Sequence, residues 1–487
     1  MNKSWFGLFS LLALFLVMTP LAAFSQKNGD SKQTTTAPTV RPKRLTLRQC
    51  IDLALKNNRK HTISKLQIQV AEAQHRQALS SFWPQLTFQS ALIRMDKDPV
   101  FLYPKESATY EVSGFIRPMK LTVDIPPKYV KQMDRVNFSS NLRLMYPLFT
   151  GGLRTALSKQ TGAGIQIAKA GLRKTDLELE RDVKKYYYGA ILATRLYQIA
   201  RNAQDRLEVL LTLTKNMYEK GSGKVKKTDY LQIKSIVDNA RALVAQFDGN
   251  REMALAALGN LLNLPWDTPI ELAEKEIPYS LVNLNLKELI SSSYKFNPDW
   301  AKLNAALQVY EGKIKEARSH YFPQLALTGT LMHVENKYHA GIVSPRNRTL
   351  WVVGLGMKFP LFSGFRTRNQ VQEARVQLQK LKESQILLRQ GLALQVKYYF
   401  LKLEEIQRQE RFLREALKTA TANRDLNERA YKEDMAKMQD VMSAQIFASL
   451  SEAQYEKIRY EAAVAQANLT YVVGKEVRQW IQKEGIR

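Results

Sequence analysis

Cysteine is almost missing: Cys50 is the only one in 487 residues, so no disulfide can form within the chain. It sits alone in a helical pattern, as a small apolar filler would. Signatures of chemistry are equally scarce. The five histidines, His61, His75, His320, His333 and His339, lack metal-ligand spacing, and neither an HExxH helix nor a GxSxG elbow occurs. The stretch GSGK at 221–224 fails as a phosphate loop, because Tyr218 stands where the upstream glycine is needed and Val225 follows the lysine. Carboxylate pairs such as Glu404 and Glu405 lie in long charged stretches and read as solvated faces. Catalysis, a resident metal and a cofactor are therefore not expected. After the amino terminus no run of 18 apolar residues recurs, which excludes a spanning helix from the remainder of the chain.

What is present begins with MNKSWFGLFSLLALFLVMTPLAAFSQ, a cation at Lys3, an apolar run and then small residues. This reads as a secretory signal peptide over 1–25, cleaved after Ser25, and the apolar run is shorter than the roughly 20 residues of a membrane anchor. Residues 26–43, rich in Thr, Lys and Gln, read as a flexible leader. The formal charge is +28, or +27 once Lys3 is removed. Outside the cytoplasm such a balance points to lipopolysaccharide, anionic lipid headgroups or acidic partners, and not to nucleic acid; a merely lysine-rich solvated surface is the alternative.

Two halves of one design are legible. LTLRQCIDLALKNNRK from Leu45 resembles LNLKELISSSYKFNPDW from Leu284, and SSFWPQLTF resembles SHYFPQLAL, both at an offset of 239. YPLFTGG from Tyr146 and FPLFSGF from Phe359 are 213 positions apart, as are MYEKG and AYKED. The change of offset means that the first half carries 26 more residues between PQL and PLF.

Inside each half, periodicity switches in the same order. Helical spacing runs from Leu45 to about Phe82, for example Ile51, Leu55, Ile63, Leu66 and Val70, so one helix is expected before Pro84. Period-2 alternation follows over about 84–94 and 136–148, and again over about 323–333 and 350–361. Each of these four strands has an apolar and a polar face and about the length that crosses a bilayer when tilted in a barrel. Pro147 and Pro360 are expected to end the ladders. Gly151, Gly152 and Gly364 then allow a bend into a long helical hairpin over 153–262 or 366–476. A heptad-like stripe, Leu177, Leu179, Val183, Tyr187, Ile191 and Leu192, suits sideways packing. Residues 96–135, with their prolines and charges, read as a long loop on the outer side. The chain thus divides into a first repeat (44–264), a Pro-rich equatorial linker (265–283), a second repeat (284–478) and a tail (479–487).

An open four-stranded sheet would leave two edges unsatisfied in lipid, so further copies must close it; three would supply twelve strands. A coiled-coil scaffold that never enters the membrane is the alternative, against which the alternating strands argue.

Taken together and in order, LTLRQCIDLALKNN, PQL, YPLFTGG, FPLFSG, the YEKG turn before TDYLQ, and MQDVMSAQ resemble the outer-membrane efflux protein family, the TolC-like channels, over about residues 44–482. The resemblance implies a homotrimer in the outer membrane, with a twelve-stranded transmembrane β-barrel continuous with a long periplasmic α-helical barrel. It further implies an exit duct for export, served by a periplasmic adaptor and an inner-membrane pump of RND, ABC or MFS type. A periplasmic gate carries over onto Asp440 and Tyr431, with Asp434 where a glycine is usual and Ser443 where some members have a second carboxylate. The alternative for Asp440, and for Asp229 in the first half, is a helix cap. The two turns, with Gly221, Ser222, Gly223 and Lys224 in one and Met435, Ala436 and Lys437 in the other, are candidate adaptor-docking tips or else solvated turns.

Overall fold

The computed structural model describes residues 43–112, 117–220, 225–279, 284–338, 343–433 and 435–475. The signal peptide and nearly all of the leader, the tail, Gly221 to Lys224 and Asp434 lie outside the described residues.

The chain opens with a short strand, β1 (Lys43–Leu45), followed by α1 (Leu47–Asn57) and α2 (Arg59–Ser80). The single helix expected here is two, because Asn58 takes an extended backbone (φ −68, ψ 131) and its side-chain oxygen accepts the Lys60 N–H, starting a new helix. Its Nδ2 donates to the Leu261 carbonyl at 2.8 Å, which fixes the break against a distant helix end. The same device recurs between α5 (Leu286–Phe296) and α6 (Pro298–Ser319), where Asn297 caps α6 and donates to the Val472 carbonyl at 2.8 Å.

After α2 the chain enters β2 (Gln85–Arg94) and, 42 positions on, β7 (Val136–Phe149). The expected long loop between them is instead a ribbon in two sections. In it β3 (Val100–Tyr103) pairs with β6 (Lys128–Lys131), and β4 (Glu106–Val112) pairs with β5 (Met119–Ile125). Three of the segment's five prolines, Pro104, Pro126 and Pro127, lie at the joint between sections, and β4 and β5 alternate strongly enough to pair. With β9 (Gln324–Asn336) and β10 (Thr349–Lys358), β2 and β7 form an antiparallel sheet in the order β10-β9-β7-β2. Its register aligns Phe88, Leu142, Leu331 and Trp351 across one face, and Leu86, Leu144, Gly329 and Val353 in the next row. The other face carries Thr87, Arg143, Thr330 and Val352.

Two helices of 67 residues dominate the rest, α3 (Leu153–Glu219) and α7 (Arg366–Lys432). At 1.5 Å per residue each is about 100 Å long. Shorter partners return beside them, α4 (Lys227–Leu261) and α8 (Met438–Val473). No helix among the described residues is long and apolar enough to cross a membrane.

Burial is distributed along the helices in separate clusters. One gathers Cys50, Ala54, Val183, Tyr187, Leu258 and Ile277, and the lone cysteine is fully buried in it. The linker is tied into this cluster: β8 (Ile270–Leu272) pairs in parallel with β1, and Arg459 donates to the Ile277 carbonyl. A second cluster packs Leu289, Val396, Ile406, Ile458 and Leu469, and a third, towards the helix tips, holds Leu207, Ile233, Val237 and Met442.

Candidate functional site

Where strand becomes helix, the backbone makes the same left-handed turn twice. Gly151 and Gly152 have φ +62 and +87, and Gly364 and Phe365 have φ +60 and +63. Glycine adopts this region without penalty, whereas Phe365 carries a side chain there. At Gly151 a Cβ would stand 2.6 Å from the Ser319 carbonyl oxygen and 2.7 Å from Phe322 Cβ, so close approach excludes any larger residue as well. Around Gly364 the space is open. Arg154 secures the first junction: it donates to the Leu148 carbonyl at 3.0 Å and lays its guanidinium over the Phe82 ring.

Pro360 follows the end of β10 at Lys358, but Pro147 does not end its ladder. β7 continues past it to Phe149, with a bulge between the two. The proline is tolerated because β2 pairs no further than Met145, leaving that side of β7 open for a residue without an N–H. Beside the second junction, Arg318, Arg368 and Arg375 line a cavity of about 790 Å³ with Tyr321, Phe322 and Phe365.

At the far end of the helices the two turns are organised by carboxylates. Asp440 accepts the Lys437 N–H at 3.3 Å, and Asp229 accepts the Lys226 N–H at 2.9 Å, each holding the first turn of its returning helix. Asp440 is exposed, and so are Met435 and Lys437, while Ala436 is half-buried. Tyr431 is buried beside a cavity of about 150 Å³ bordered by Leu207, Val441 and Gln445. Asp440 and Tyr431 therefore occupy the same hairpin but play different parts, one on the surface and one in packing.

Sequence reasoning missed several ties near these tips. Tyr230 stacks on Tyr218 with planes 2° apart, joining α3 to α4. Arg206 holds Glu428 through two hydrogen bonds of 2.9 and 3.0 Å, joining α3 to α7. Glu208 takes hydrogen bonds from Gln204 and Arg241, which lower its pKa below the usual carboxylate range. Higher up, the buried Glu456 lies between Arg195 and Arg459 and connects α3 with α8. Lone charged or aromatic residues on long polar helices carry no pattern that would single them out.

The geometry finds a counterpart in known proteins. A family model described as outer membrane efflux protein matches residues 128–264 and 289–475, more than half of the chain. The chain belongs to the outer membrane efflux protein family. Among curated relatives, Protein CyaE of Bordetella pertussis is 24% identical over 226 residues, 43% of this chain and 47% of CyaE. Alkaline protease secretion protein AprF of Pseudomonas aeruginosa is 24% identical over 262 residues, 52% of each. The chain thus spans about half the length of these relatives. The crystal structure of the outer membrane protein VceC from Vibrio cholerae superposes with a TM-score of 0.68 at 14% identity, covering 88% of this chain and 96% of that one. The fold is accordingly that of TolC-like outer membrane efflux proteins, located in the outer membrane with the helical part in the periplasm.

Proposed function

We propose that this protein is the exit duct of a tripartite export system, a homotrimer built from two structural repeats per chain. In this reading twelve strands close a transmembrane barrel and the helices of three copies form a periplasmic barrel. Substrates delivered by an inner-membrane pump and a periplasmic adaptor then pass through without further energy input.

One observation carries the reading. The four-stranded sheet has an apolar face and two unpaired edges, β2 and β10, and it runs directly into helices about 100 Å long. Open edges in hydrocarbon would cost several kcal/mol per unsatisfied backbone group, so closure by identical copies is the economical solution. Arg318, Arg368 and Arg375, none ion-paired among the described residues, support anionic lipid headgroups as neighbours near the junction.

At the opposite end, Asp440, Tyr431 and Asp434 form the candidate gate, in which Asp440 serves both as helix cap and as a charge on the pore. The tips at 221–224 and 435–437 are the candidate adaptor-docking surface; the exposed Met435 and Lys437 support that role. Relatives named for secretion make protein export one option for the cargo, with the pump deciding.

The test is functional reconstitution. Purified protein should migrate as a heat-modifiable trimer and give discrete conductance steps in planar bilayers. Recovery in the soluble periplasmic fraction, without trimers or conductance, would instead support the scaffold.

A further inference from the structure

The outer section of the ribbon between β2 and β7, β4 with β5, has two chemically opposite faces. On one, Ser107 donates to Asp124 at 2.6 Å, Thr109 meets Thr122 at 3.3 Å, and Lys120 pairs with Glu111 at 3.3 Å. On the other, the register places Tyr110 against Leu121, Val112 against Met119, and Ala108 against Val123. Only Glu106, at the root of β4 opposite Ile125, interrupts this apolar face with a charge. Yet Tyr110 is 59% exposed, Met119 68% and Leu121 51%. A two-stranded ribbon is marginal in water unless a third layer covers it, and this one is patterned for such cover.

The root of the ribbon is clamped. Asp98 accepts from Lys131 Nζ and from the Arg135 N–H, both at 2.8 Å, and Lys131 also bonds Asp134 and lies over the Tyr338 ring. The ribbon therefore leaves the sheet at a set attitude. It also grows from β2, the edge strand that a neighbouring copy would pair in the trimer proposed above. Symmetry then brings identical ribbons together at the same height around the external mouth.

We propose that the ribbons of the three copies turn their apolar faces to the threefold axis and pack there, forming a collar over the external mouth; this rests on the trimeric reading. A face of apolar side chains and one tyrosine, charged only at its root by Glu106, is complementary to another of its kind. Among the paired residues of β4 and β5 it carries no cation with which to bind lipopolysaccharide phosphate; its one charged residue, Glu106, is an anion, and Lys120 lies on the opposite face.

Single cysteines test this in the full-length Cys50→Ala chain assembled in the outer membrane. Leu121→Cys should give linked dimers with a short bis-maleimide. Thr122→Cys, adjacent in sequence but on the polar face, should give several-fold fewer. Val123→Cys repeats the apolar-face test if Leu121→Cys fails to assemble. Intact trimers in which apolar-face and polar-face cysteines link equally, or not at all, would overturn the collar while leaving the trimer standing. An unlinked Leu121→Cys that is also shielded from a membrane-impermeant maleimide on cells would overturn it in favour of lipopolysaccharide or another protein. Absence of trimers altogether would overturn the oligomer and the collar together.

Discussion

Gly151 and Gly364 hold equivalent turns, but only Gly151 is hemmed in, by Ser319 and Phe322. Gly364→Ala should cost roughly 1–2 kcal/mol for the left-handed backbone alone. Gly151→Ala should cost about 2–4 kcal/mol, since overpacking adds to the backbone penalty. Urea unfolding followed by circular dichroism checks the order, and equal losses would mean that Gly364 is as enclosed as Gly151. Asp440 separates by charge. Asp440→Asn keeps an oxygen for the Lys437 N–H while removing the charge, so it should leave the helix intact, raise single-channel conductance and weaken block by divalent cations. Unchanged conductance would leave Asp440 a cap. Asp440 is picked out by the MQDVM motif through the family resemblance, whereas Tyr230, an aromatic residue standing alone on a helix, only becomes meaningful once Tyr218 is seen stacked on it.

Elements of ten or more residues were legible because period 2 and period 3.6 accumulate over that length. The strands around Leu86, Leu142, Leu327 and Leu355 and the long helices announced themselves this way. Three-residue β1 and β8 are too short to show any period, and the break at Asn58 falls in the polar stretch between Leu55 and Ile63, where no apolar residue marks the end of one helix. In the ribbon, Pro104, Pro126 and Pro127 interrupt the pattern, β3 is apolar throughout, and only β4 and β5 alternate. Two predictions belong at this scale. Asn297→Ala removes the cap of α6 and its tie to α8 from a buried position, and should cost about 2–3 kcal/mol. Asn58→Ala should cost less, because Asn58 is only partly buried, and thermal unfolding of the two variants checks the ranking. The Lys131 hydrogen bond holds the Asp98 pKa below its ordinary 3.8. A depressed carboxylate contributes above its unfolded pKa and loses that contribution as pH falls through the folded value. The clamp should therefore hold at neutral pH and loosen below about pH 4. Hydrogen exchange in the ribbon, corrected for intrinsic rates, should rise in that range, and Asp98→Asn should show the rise already at neutral pH.

For the whole molecule, the equality of α3 and α7 has a mechanical meaning. Both helices have 67 residues and both start from the same kind of turn, so their tips end at one level. In the tripartite reading proposed above, a partner meeting the duct end-on would face a flat rim, and the pair of helices would act as a ruler for the gap between two membranes. Removing the same seven residues from both, with matching cuts in α4 and α8, should shorten the duct by about 10 Å and keep the rim level. Shortening α3 and α4 alone should instead tilt it. Cross-linking to the adaptor in cells should survive the first change better than the second. Insertions or deletions in such a chain are thus tolerated in register-matched pairs, and drift in one half obliges drift in the other.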